Sequence, residues 1–236
     1  MVILFNKRKV LVTALITFLC IGFTGAGYKI FISKNVFLPG ETKTIIIDAG
    51  HGSPDGGAVG SSGVLEKDLN LSIANKLQEF AEQGGFNVIL TRSDDNGIYD
   101  ISDNIRSKKN SDLKNREKLI KNSKADAFVS IHMNKFPQSK YSGPQVFYSG
   151  NNENSKDLAE YIQESVIEAL TPVSKREIKK ADGSIYLLKK AKLPAVLVEC
   201  GFLSNEEEQR KLLDTAYQKQ VAWAIYCGII KYFNEE

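Results

Sequence analysis

Apolar, β-branched runs alternate with amphipathic stretches from residue 44 to residue 233, and that alternation limits the chain to an α/β fold with helices between strands. The spacing predicts buried strands over 44–47, 86–91, 127–131, 145–148 and 195–198, with a further short strand over 186–188. Between them, Leu69, Ile73, Leu77 and Phe80 recur at helical spacing within 65–83, and Gly84-Gly85 supplies the stop. Further helices are predicted over 113–123, from Leu158 to Leu170 before Pro172, and once or twice within 206–233. Residues 93–111 are polar and irregular and read as a long exposed loop, 135–143 as a second loop and 171–184 as a basic one.

The first 34 residues do not belong to this pattern. Lys7-Arg8-Lys9 precede a stretch from Val10 to Ala26 without any charge, which is an export signal: either a signal peptide cleaved near Thr24-Gly25-Ala26, or a membrane anchor. A linker over 35–42 then leads to a single domain over 43–236. The leader holds five of the 31 basic residues and none of the 28 acidic ones, so the body carries 26 bases against 28 acids. Nothing there suits a nucleic-acid partner. A body of about 195 residues buries roughly 70% of its unfolded surface in one core. Cys20, Cys200 and Cys227 are odd in number and without CxxC spacing, so they indicate neither a disulfide framework nor a thiolate metal site, and Cys200 reads as a core filler.

The chain has two histidines, His51 and His132, and each follows a run that reads as a buried strand, in IIIDAGH and FVSIH. A third such run, AVLVE, ends in Glu199, and Glu66 opens the helix that leaves a glycine-rich turn between Gly50 and Gly63. Carboxyl ends of strands are where open α/β sheets form their crevices. Two imidazoles and one carboxylate make a catalytic zinc ligand set with one position left for water, although Mn²⁺ or Co²⁺ suits the same donors. With two carboxylates and one vacancy, the natural division is one ligand and one base. Glu66, exposed on a flexible approach, is expected as the ligand, and Glu199, at the end of a buried strand, as the proton acceptor; spacing alone leaves that division open. Asp55 in GSPDGG reads as a turn residue.

The motifs GHGSPDGGAVG, LEKDLNL, SIHMN and VECGFLSN, in that order over residues 43–235, resemble those of the zinc N-acetylmuramoyl-L-alanine amidases of the Amidase_3 family. The resemblance implies a twisted, mostly six-stranded mixed sheet flanked by helices on both faces. It places the zinc ligands on His51, Glu66 and His132 and the catalytic glutamate on Glu199. It also implies a substrate: the amide between N-acetylmuramic acid and L-alanine in peptidoglycan. The short layout, with IIIDAGHGSPDGGAV and QVFYSG, looks like the sporulation and germination amidases of endospore formers, in which stem removal prepares muramic δ-lactam in the spore cortex. The leader implies action outside the cytoplasmic membrane, the protein being either secreted or held at that membrane's outer face by its N-terminal segment, and the glycines from Gly50 to Gly63 suggest an accessory protein that orders the loops carrying Glu66. Ser53 and Lys135 depart from the family pattern near the expected pocket. The rival within the same chemistry is a zinc peptidase on stem-peptide cross-links; a wall-binding protein without catalysis is the rival outside it.

Overall fold

Residues 42–170 and 176–235 are described by a computed structural model; the predicted leader, most of the linker and the first five residues of the basic loop lie outside them. Six strands form one sheet: β1 (Thr44–Ala49), β2 (Asn87–Leu90), β3 (Ala127–Asn134), β4 (Gln145–Tyr148), β5 (Lys179–Lys180) and β6 (Ala195–Phe202). Their spatial order is β2-β1-β3-β6-β4-β5. The first four in that order run parallel, and β4 turns antiparallel to β6 and parallel to β5, so the sheet is mixed. Among the described residues six helices accompany them: α1 (Glu66–Gln83), α2 (Ile105–Asn122), α3 (Asn154–Leu170), α4 (Tyr186–Lys190), α5 (Glu206–Leu213) and α6 (Thr215–Glu235).

Alternate residues of the central strands feed two apolar clusters, as the twofold period of a strand requires. Ile45, Ile47, Val129, Ile131, Val196 and Val198 pack with the inner faces of α1, α3 and α6. Ile46, Phe128, Ala195 and Leu197 point the other way, onto Ile120 of α2 and Leu187 and Leu188 of α4. Helices therefore cover both faces, and Ile45, Ile46 and Ile47 are all fully buried, which is why β1 reads as an unbroken apolar run.

Three predicted elements differ. The expected loop over 93–111 ends early, because α2 starts at Ile105. Asn104 caps that helix by accepting from the Arg106 and Ser107 amides, and its first two turns are polar enough to hide the helical period. The strand expected over 186–188 is the one-turn helix α4; two adjacent leucines bury equally well there. The basic loop contains β5, two exposed lysines added to the edge of the sheet by main-chain pairing with Phe147 and Tyr148, a contact that leaves no apolar trace.

Candidate active site

His51 lies two residues beyond β1, and its backbone takes the left-handed conformation (φ 62°), uncommon for a residue with a side chain. Two buried arginines hold it there. Arg116 of α2 donates to the carbonyls of Ala49 and His51, and Arg92 donates to those of Ala49, Gly50 and Lys67. Arg116 also pairs with Asp48 at 2.5 Å and Asp112 at 2.8 Å. Burial would push the Asp48 carboxyl up, but the guanidinium, with help from the Ser130 and Thr91 hydroxyls, holds it below the usual carboxylate range.

His132 and Glu199 face each other in register on neighbouring strands, so both project from the sheet face that carries Asp48 and Ser130. Neither is the last residue of its strand, contrary to the reading from sequence: β3 continues to Asn134 and β6 to Phe202. The pairing of β3 with β6 shifts register between His132 and Asn134, a local irregularity of the kind that re-aims side chains beside active sites. The Met133 amide donates to Glu66 Oε1 at 3.1 Å.

Glu66 is the residue whose surroundings differ most from expectation. It does not stand on a flexible approach: it is 4% exposed. Its Oε2 accepts from the Ala58 amide at 2.8 Å, and its Oε1 lies 2.9 Å from His132 Nδ1. The glycine-rich turn is likewise tied down, by hydrogen bonds from the Glu66 amide to the Ala58 carbonyl and between Gly52 and Asp55 in both directions. Its glycines provide close approach. A Cβ on Gly50 would stand 2.2 Å from His132 Nε2, and one on Gly57 (φ 68°) would stand 2.6 Å from Glu66 Oε2 and 2.7 Å from His51 Cδ2.

These elements bring together His51, Glu66 and His132, with one ligand atom from each within 4.8 Å of the others. His51 Nε2 lies 3.2 Å from Glu66 Oε2, while His51 Nδ1 is 2.8 Å from Asp55 Oδ2. Asp55 is the residue that sequence reasoning missed, since a turn aspartate and a carboxylate that orients a ligating imidazole look alike in one dimension. Its signal was the spacing: a carboxylate four residues from a candidate ligand in a tight turn, the partner that metal-binding histidines usually have. Burial opposes a charge on His51, but the carboxylates of Asp55 and Glu66 outweigh it and raise its pKa to about 9; the same pairing holds Asp55 and Glu66 far below the usual range.

Glu199 completes the site from the adjoining strand. Its Oε2 is closed off from solvent and has no hydrogen-bond partner, and burial lifts its pKa to about 7. A carboxyl so placed titrates where a proton shuttle is useful. The donor set of two imidazoles and a carboxylate fits zinc, and the orphaned Oε2 fits a group expected beside it rather than a packed core. Ser53 and Lys135 brace the surroundings: Ser53 Oγ donates to Asp95 at 2.7 Å and Lys135 Nζ to the Val59 carbonyl at 2.9 Å.

Comparison with known proteins identifies the family. A germination-specific N-acetylmuramoyl-L-alanine amidase of Bacillus subtilis is 40% identical over 200 residues, covering 84% of this chain and 83% of its own. The CwlD amidase of Clostridioides difficile, solved in complex with the GerS lipoprotein, superposes with a TM-score of 0.80 at 49% identity, over 83% of this chain and 100% of that one. A second amidase, from Clostridium difficile 630, superposes at 0.72 with 33% identity, over 84% and 100%. The model of the Amidase_3 family, N-acetylmuramoyl-L-alanine amidase, matches residues 45–231, and with these relatives it shows that the chain belongs to that family.

Proposed function

We propose that this protein is an exported, zinc-dependent N-acetylmuramoyl-L-alanine amidase that removes stem peptides from spore-cortex peptidoglycan, where the stripped muramic acid becomes the δ-lactam needed for germination. One observation carries the chemistry: the unpartnered, buried Oε2 of Glu199 beside the cluster of His51, Glu66 and His132. Those three side chains would hold the metal, and Asp55 would fix the orientation and tautomer of His51 through Nδ1. When bound, zinc would supply a Lewis acid and lower the pKa of water to about 7. Glu199 takes the proton from the attacking water and returns it to the amide nitrogen of the departing L-alanine, which leaves poorly as an anion. Its pKa of about 7 allows both transfers near neutrality.

The cortex setting is supported by the B. subtilis relative, described as germination-specific. Action outside the cytoplasmic membrane is supported by the leader, read as a signal peptide or anchor; among the described residues no helix is long and apolar enough to cross a membrane. An accessory protein is supported by the C. difficile relative, which was solved with a lipoprotein. The test is a muropeptide digest with the native chain and Glu199→Gln, each with measured zinc content. Products with unsubstituted muramic acid and a free L-alanine amine are expected from the native chain alone; cleavage within the stem would overturn the assignment. Stoichiometric, tightly held zinc in protein purified without any partner would remove the accessory protein from the proposal.

A further inference from the structure

At the end of the sheet away from the catalytic edge, a groove of about 640 Å³ opens where α2 leads into β3 and α4 leads into β6. Ile120 and Leu193 lie among its apolar lining, and five exposed lysines surround it: Lys121, Lys124, Lys189, Lys190 and Lys192. The carboxylate that lines it, Glu117, is taken by the Tyr186 hydroxyl at 2.5 Å. Lys190 lies over the Tyr186 ring at 5.7 Å. Lys124 adopts a left-handed backbone (φ 53°), a conformation glycine takes without steric cost, yet the position carries a long cationic side chain. This edge is also where the described chain begins. Thr44 opens β1, which runs parallel to β3, and β3 to β6, so the described chain begins at the groove's end of the sheet.

We propose that this lysine-rimmed face docks on an anionic phospholipid bilayer, with the ammonium groups at headgroup phosphates and the lysine stems along the apolar lining. The occupant follows from the charge of the face and, resting on the proposed reading of residues 1–34 as an export segment, from its position at the end of the sheet where the described chain begins. Parallel strands of six to eight residues at about 3.3 Å each then set the catalytic edge roughly 20–25 Å above the lipid, directed away from it. This goes beyond the hydrolysis and does not depend on it.

Residues 42–236 hold the whole sheet and both apolar clusters, so they serve as the test protein without the apolar leader. Cosedimentation with phosphatidylcholine vesicles, with and without phosphatidylglycerol, should show binding only to the anionic vesicles and its loss at high salt. Each lysine near such a surface is worth about fivefold in partitioning, so Lys121→Gln/Lys189→Gln/Lys192→Gln should weaken binding about 100-fold. The control Lys140→Gln/Arg210→Gln/Lys211→Gln, which lowers net charge equally at the opposite, catalytic edge, should change it severalfold at most. Equal losses in the two triples, or equal binding to both kinds of vesicle, would overturn the proposal. So would binding to insoluble peptidoglycan that the groove triple abolishes while vesicle binding is absent, an outcome that assigns the face to a wall polymer. Circular dichroism shows that each triple is folded.

Discussion

Replacing Arg116 by leucine tests whether the buried ion pair behind the site, rather than the glycines in front of it, holds His51 in place. Arg116 and Asp48 are each about 1% exposed and 2.5 Å apart. Removing one member of such a pair leaves an uncompensated buried charge and costs about 3–5 kcal/mol. The Ala49 and His51 carbonyls lose a donor in the same step. For a domain of this size each kcal/mol moves Tm by about 2–4 °C, so Arg116→Leu should melt roughly 6–20 °C lower. Asp48→Asn should cost less, because Arg116 keeps Asp112 and the two carbonyls. The double variant, with neither charge present, should be more stable than Arg116→Leu alone. Urea unfolding of residues 42–236 in a chelator, which removes any contribution from bound metal, gives the three differences. The reasoning fails if Arg116→Leu costs under about 1 kcal/mol, or if the double variant costs the sum of the two singles.

Glu199→Gln should lower kcat by about 10²–10⁴-fold at unchanged zinc content, measured by single-turnover digestion and metal analysis. Asp55→Asn should weaken zinc retention about 10–100-fold in competition with a chelator, because His51 Nδ1 loses its carboxylate. Gly57→Ala places a methyl against Glu66 and His51 and should empty the site of metal even where the fold survives, as zinc analysis beside circular dichroism would show. The metal-free protein should lose stability as pH rises from about 4.5 to 7. The folded-state pKa of Glu199 is raised to about 7, so its contribution is complete below the unfolded value and disappears as pH passes the folded one. Urea midpoints across that range should fall for the native chain and fall less for Glu199→Gln.

The strand runs and the amphipathic helices were readable because each has a period that burial enforces, and five of the six strands stand where the apolar runs predict them. The sixth, β5, could not be read: its two lysines belong to the sheet by main-chain pairing alone. Beyond the exposed Ile105 the first two turns of α2 lacked apolar residues, though Asn104 offered a capping signal. Within the site, His51, Glu66, His132 and Glu199 were visible as residue types at the right elements. What sequence reading supplied wrongly was their environment. Glu66 was expected to be exposed and is buried, and the glycines suggested looseness where the structure has close packing. Arg92 and Arg116 were passed over because each acts from a distance in sequence, which leaves no pattern in one dimension, and Asp55 was read as a turn residue although its spacing from His51 offered a signal.

The grip of Arg92 and Arg116 on the carbonyls around His51 bears on whether such a site is portable. Grafting His51, Glu66, His132 and Glu199 onto another parallel sheet would copy four side chains but not the left-handed turn that aims the first of them. The smallest transferable unit is larger: it includes the two guanidiniums, the aspartate that compensates one of them, and the two glycines whose missing Cβ atoms make room. A designer who counted only ligands would obtain the parts list of this centre without its scaffolding.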